Sequence, residues 1–129
     1  MRRKLGKRAF MRFSVHGASV SWMTVEDKCF PDETSPLSDI ATSGLSFLTN
    51  NPPTEGSEVF LLLILPRNAE NLQIQGKVIY SIHRGPDLTY SYRVGIKFKE
   101  FSESKGFNSL KSLSSIRKLE ETYVRPNDL

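Results

Sequence analysis

One stretch constrains the fold more than any other. In "LQIQGKVIYSIH" the apolar residues Leu72, Ile74, Val78, Tyr80 and Ile82 all fall on even numbers, with Gly76 among them. After "GPD" (Gly85–Asp87), Tyr90, Tyr92, Val94, Ile96 and Phe98 repeat the same parity. A period of two is the period of an extended strand, and it is incompatible with one buried helical face. The pattern therefore predicts a β-hairpin with one face in the core and Gly-Pro-Asp at its turn. By parity, Tyr80, Tyr90, Tyr92 and Phe98 all belong with that core.

Shorter strands precede it. "FSVHGASVSW" alternates Phe13 and Val15, loses a beat at Gly17, and resumes at Val20 and Trp22. A glycine that shifts the alternation suggests a bulge or a close backbone approach. Residues Thr24–Leu37 carry acids and two prolines, which reads as a short strand and a loop. "LSFLT" follows Gly44 as another strand, "NNPPTEG" reads as a turn, and "SEVFLLLIL" is a strand buried on both faces or nearly so. Beyond Ser102 the period changes to three, with Phe107, Leu110, Leu113, Ile116 and Leu119 forming the stripe of an amphipathic helix. Ser102 or Ser104 is the expected cap. Six short strands and then one helix, without βαβ alternation, give a mainly β fold: a compact antiparallel barrel or sandwich with a C-terminal helix laid against it. The expected divisions are a basic segment over 1–12, the barrel with its helix over 13–122, and a tail over 123–129.

A chain of 129 residues, 38% hydrophobic and 25% charged, is one ordinary globular domain. Its longest strongly apolar run, Val59–Leu65, is far too short for a membrane span. The start, "MRRKLGKRAFMR", turns basic again where a signal peptide would be apolar. A single cysteine, Cys29, cannot form an internal disulfide, so a reducing cytoplasm is the expected location. No Gly-rich phosphate loop, nucleophile elbow or metal-ligand spacing is present. His16 and His83 lie on expected strands without metal-binding neighbours, and the expectation is a non-enzyme without cofactor or metal.

Net charge is +4, and Arg2, Arg3, Lys4, Lys7, Arg8 and Arg12 all precede the first strand without an acid among them. Arg8 and Arg12, four apart, project to one side whether the segment is helical or extended. Extended, they are about 13 Å apart, enough to bracket a ligand of several rings. Arginine's planar fork suits phosphate oxygens and the O6/N7 edge of guanine. In "DIATSG", the Asp39 carboxylate accepts only and so suits the paired N1–H and N2–H₂ donors of guanine. Gly44 permits positive φ and leaves room for a bulky planar ligand. The plain alternative is an interstrand turn in which Asp39 bonds its own backbone.

Taken together, "RAFMR" (Arg8, Arg12) and "DIATSG" (Asp39, Gly44) resemble the RxxxR and [D/N]xSxxG elements of the PilZ domain family, receptors for the bacterial second messenger cyclic di-GMP. "LQIQGKVIYS" and "YRVGIKF" are similar to the family's later strands, in the expected order, and the likeness runs from about Lys4 to Leu113. It implies a six-stranded antiparallel barrel with a C-terminal helix. It also implies a cyclic di-GMP site built from Arg8, Arg12, Asp39 and Gly44, and a signal relayed to a protein partner. DNA or RNA is not the expected partner. The family's serine falls at Ala41, which has no hydroxyl; one neutral hydrogen bond is worth about 0.5–1.5 kcal/mol, so binding should weaken rather than vanish. The alternative is a degenerate barrel of this type that binds a protein and no nucleotide.

Overall fold

The computed structural model of the protein describes residues 12–66, 71–86 and 88–123. Six strands, β1 (Ser19–Thr24), β2 (Ser35–Ala41), β3 (Gly44–Thr49), β4 (Glu58–Ile64), β5 (Asn71–His83) and β6 (Tyr92–Phe98), are followed by helix α1 (Leu110–Tyr123). The strands close into a barrel in the order β1-β2-β3-β6-β5-β4, every pairing antiparallel. The expected fold class is the observed one.

Alternation builds the core. Val20, Ile40, Phe47, Leu61, Ile74 and Ile96, one from each strand, are all fully buried. Each such side chain contributes about 1.5–3 kcal/mol relative to exposure. On β4 the other face is half-buried rather than exposed: Phe60, Leu62 and Ile64 alternate with buried Val59, Leu61 and Leu63. Phe60 is covered by Phe107, ring centroids 5.0 Å apart. Ile116 carries α1 into the core. Asn108, at φ 57°, ties the helix entry to the sheet, donating from its amide to the carbonyls of Gln75 and Lys99 and accepting from the Gln75 N–H. The cap differs from expectation. Ser109 accepts the Ser112 N–H through its hydroxyl, whereas Ser104 bonds the Phe107 carbonyl. The stripe's first members therefore lie ahead of the helix or at its exposed start, Phe107 in a turn and Leu110 largely in solvent.

Three further departures bear on the site. The lost beat at Gly17 is a turn with φ +85°, not a bulge within one long strand, and His16 sits in it. Either side of that turn, residues 13–20 follow β2. Phe13 exchanges both backbone hydrogen bonds with Ile40 (2.9 and 2.8 Å), and Ser19 and Val20 pair with Pro36 and Ser35. β2 itself runs on through Ala41, so "DIATSG" is strand, two-residue turn, strand. The third departure is a β-bulge. The β5–β6 register shifts between Val78 and Tyr80, so Val78 faces Ile96 in the core but Tyr80 pairs with Gly95 and Ile82 with Arg93. One extra residue reverses every later side chain. Tyr80 and Ile82 therefore stand on the outer face, contrary to their parity, and Ile82 is 55% exposed.

Candidate functional site

The outer face of β2, β3, β6 and β5 brings the site residues together through register. Asp39 pairs with Ser46, Ser46 with Gly95, and Gly95 with Tyr80, a single row running across four strands. In the next row Leu48 pairs with Arg93 and Arg93 with Ile82; on the other side Ala41 pairs with Gly44 and Gly44 with Lys97.

Asp39 is the centre of this surface. Its Oδ1 accepts from Arg12 Nη1 at 2.8 Å and from the Ser46 hydroxyl at 2.7 Å, and its Oδ2 accepts from Arg93 Nη2 at 2.8 Å. The carboxylate is 17% exposed, while Arg12 and Arg93 are 40% and 41% exposed, so the acid is sunk between two accessible cations. The Phe13–Ile40 bridge delivers Arg12, because antiparallel register sets Arg12 across from Ala41 and diagonal to Asp39. Asp39 does not bond its own backbone; it is bonded by residues 27, 7 and 54 positions away. Arg93 also holds a buried Nε without a hydrogen-bond partner among the described residues.

Arg12 and Asp39 are thus in direct contact. Gly44 is beside them for a different reason than expected. It is the first residue of β3 and has no positive φ. A Cβ there would lie 2.3 Å from the Ile96 carbonyl oxygen, so glycine permits the close β3–β6 approach that holds Ser46 and Arg93 together. Arg8 lies outside the described residues. Ala41 is buried, and a serine hydroxyl there would need a partner within the strand surface.

Sequence reasoning missed Arg93 and Ser46. A signal for Arg93 was available. In "YRVGIKF" it has the opposite parity to buried Val94, Ile96 and Phe98, which places it on the outer face. Which carboxylate it would meet depends on strand order, which parity does not give. Neither histidine nor Cys29 is among the described hydrogen-bond partners of Asp39. Cys29 is exposed, His83 makes an edge contact with Tyr92 at 5.1 Å, and no group of three or more His, Cys, Asp or Glu able to hold a metal occurs among the described residues.

A closed six-stranded antiparallel barrel with an arginine–carboxylate–arginine cluster on its outer wall defines the class of small β-barrel domain. The PilZ domain family model matches residues 7–114, and the chain belongs to that family. Among solved structures it is similar to the PilZ domain of YcgR from Escherichia coli with c-di-GMP. That likeness has TM-score 0.64 and 14% identity, with 91% of each chain covered. It is also similar to K. pneumonia MrkH in its c-di-GMP complex, with TM-score 0.64 and 17% identity, 85% of this chain and 49% of that one. A third is the Bacillus subtilis inhibitor of motility MotI/DgrA, with TM-score 0.58 and 12% identity, 87% and 51% covered. The chain spans about half the length of the MrkH chain in its c-di-GMP complex and of the YcgR chain in a second YcgR complex with c-di-GMP. No curated protein is significantly similar to it. Among the described residues, no helix is long and apolar enough to cross a membrane.

Proposed function

We propose that this domain binds cyclic di-GMP on the outer face of β2, β3 and β6 and relays its occupancy to a protein partner, as a non-enzymatic receptor in a bacterial cytoplasm. The observation that carries the reading is the Asp39 carboxylate held between Arg12 and Arg93. The family, and the c-di-GMP in the complexes of YcgR and MrkH, support the choice of ligand. Arg12, Asp39 and Gly44 are the described members of the proposed site, and Arg8 is the fourth.

The geometry gives the binding step a definite form. A carboxylate offers about four lone-pair sites, and three are already used by Arg12, Arg93 and Ser46. A guanine edge presenting two donors needs at least one of these to leave. Ser46 is fully buried, so an exposed arginine leaves instead. The phosphates of the ligand supply the departing guanidinium with a new anion, in a bidentate geometry that suits it. Binding is thereby an exchange of partners: arginine from carboxylate to phosphate, carboxylate from arginine to guanine.

Calorimetric titration with cyclic di-GMP, with GTP as control, tests the reading. Saturable binding of the dinucleotide at micromolar concentration or below is expected. No heat and no shift in melting temperature at a ligand concentration of about 100 μM would move a protein-interaction role to first place. The two observations that favour that second role are Ala41 in place of the motif serine and an Asp39 already satisfied within the protein.

A further inference from the structure

The β5 bulge has a chemical consequence for this surface. By turning Tyr80 outward it lays an aromatic ring across Gly95. A Cβ on Gly95 would meet Tyr80 Cε2, Cζ and Cδ2 at 2.1–2.7 Å, so the ring occupies the place a side chain would take. Gly95 lies in the same row as Ser46 and Asp39, two strand steps from Asp39, or about 10 Å along the sheet. The ring is half-buried, with one side on the β6 backbone. Arg93 stands two residues along β6 from Gly95, and exposed Ile82 opposite Arg93 extends the apolar surface.

We propose that Tyr80 is the stacking surface for a purine base of the ligand that Asp39 and the arginines hold, a role that rests on the cyclic di-GMP reading above. Aromatic rings accept any base face, while the carboxylate reads the edge. Tyr80 therefore contributes affinity for purines, and Asp39 the choice of guanine. Gly95 is the floor that keeps the ring low enough to be stacked upon.

The test uses the full chain and cyclic di-GMP, with Tyr80→Leu, Tyr80→Phe and Gly95→Ala. Tyr80→Leu removes the ring while keeping an apolar cover over Gly95. Gly95→Ala keeps the ring and lifts it, and the displaced atoms are the far end of a mobile side chain. Tyr80→Leu should weaken binding about five- to a hundredfold, the range for loss of one base–aromatic stack, and Gly95→Ala should weaken it severalfold. Tyr80→Phe should bind like the parent. The guanine H8 resonance of bound ligand should move upfield in the parent and in Tyr80→Phe, and this ring-current shift should be absent in Tyr80→Leu. A parent that binds while Tyr80→Leu binds equally well, or shows the same H8 position, overturns the stacking role alone. Equal weakening in Tyr80→Phe overturns it in favour of a hydroxyl contact. A parent that binds no cyclic di-GMP overturns the functional reading and the stacking role with it.

Discussion

Asp39 is an acid whose neighbours are chosen by register rather than by sequence proximity, and this makes its replacement informative. Asp39→Ala removes the proposed guanine reader and leaves Arg12 and Arg93 facing each other without their carboxylate. The carboxylate is 17% exposed and its removal also leaves the fully buried Ser46 hydroxyl without its acceptor, so the loss in stability should be about 1–3 kcal/mol. The loss in cyclic di-GMP affinity should exceed a hundredfold, since two hydrogen bonds to a charged group go at once. Chemical denaturation and titration on the same variant separate the two effects; a silent titration would remove Asp39 from the site. Gly44 behaves oppositely. Gly44→Ala places a methyl 2.3 Å from the Ile96 carbonyl oxygen, a backbone atom that cannot step aside. Overpacking of this kind costs about 1–3 kcal/mol. A melting temperature equal to the parent's would show that β3 and β6 can separate without penalty.

At the scale of elements, Ser109 is the clearest handle. Its hydroxyl receives the Ser112 N–H at 3.1 Å, and Ser109→Ala should cost about 1 kcal/mol through the lost cap, read as a lower denaturation midpoint with unchanged slope. Ser104→Ala should cost less, because that hydroxyl bonds a carbonyl before the helix. These elements also show what was legible beforehand. Alternation located β1, β5 and β6, the continuous apolar run located β4, the stretch after Gly44 located β3, and the change of period located α1, because burial leaves its pattern in the sequence. β2 was harder to see. Residues 35–39 are all only half-buried, so the alternation that would mark them is weak, and "DIATSG" reads as a turn. The bulge at β5 was invisible for another reason: Tyr80 and Ile82 are apolar, and parity cannot tell an apolar residue facing the core from one facing a ligand. Arg12 and Asp39 were recognisable as a pair of elements; that they touch, and that Arg93 and Ser46 join them, follows from the barrel order β2-β3-β6.

On the scale of the whole molecule, the site lies on a closed barrel wall, not in a cleft between moving parts. All six strands pair into one sheet, and the partners of Asp39 come from the segment before β1 and from β3 and β6. A ligand held there ties elements that are distant in sequence, so binding should appear as global stabilisation of one cooperative unit. At ligand one hundredfold above Kd the gain is about 2.7 kcal/mol. For a domain of this length that corresponds to a rise in melting temperature on the order of 10 °C. The net charge of +4 and the two arginines add a second expectation. Arg12 and Arg93 are 40% and 41% exposed, so ionic contacts from them to the proposed ligand would be screened, and the rise should shrink as salt goes from 0.05 to 0.5 M, roughly a threefold fall in screening length. GTP at the same concentration should give a much smaller rise, because one base and one phosphate chain engage Asp39 and the arginines without the second guanine. The decisive measurement is a thermal melt with each nucleotide at low and high salt. Equal rises with GTP and cyclic di-GMP would mean that the barrel reads phosphate charge alone, and Asp39 would then be a structural partner of the arginines and not a reader of guanine.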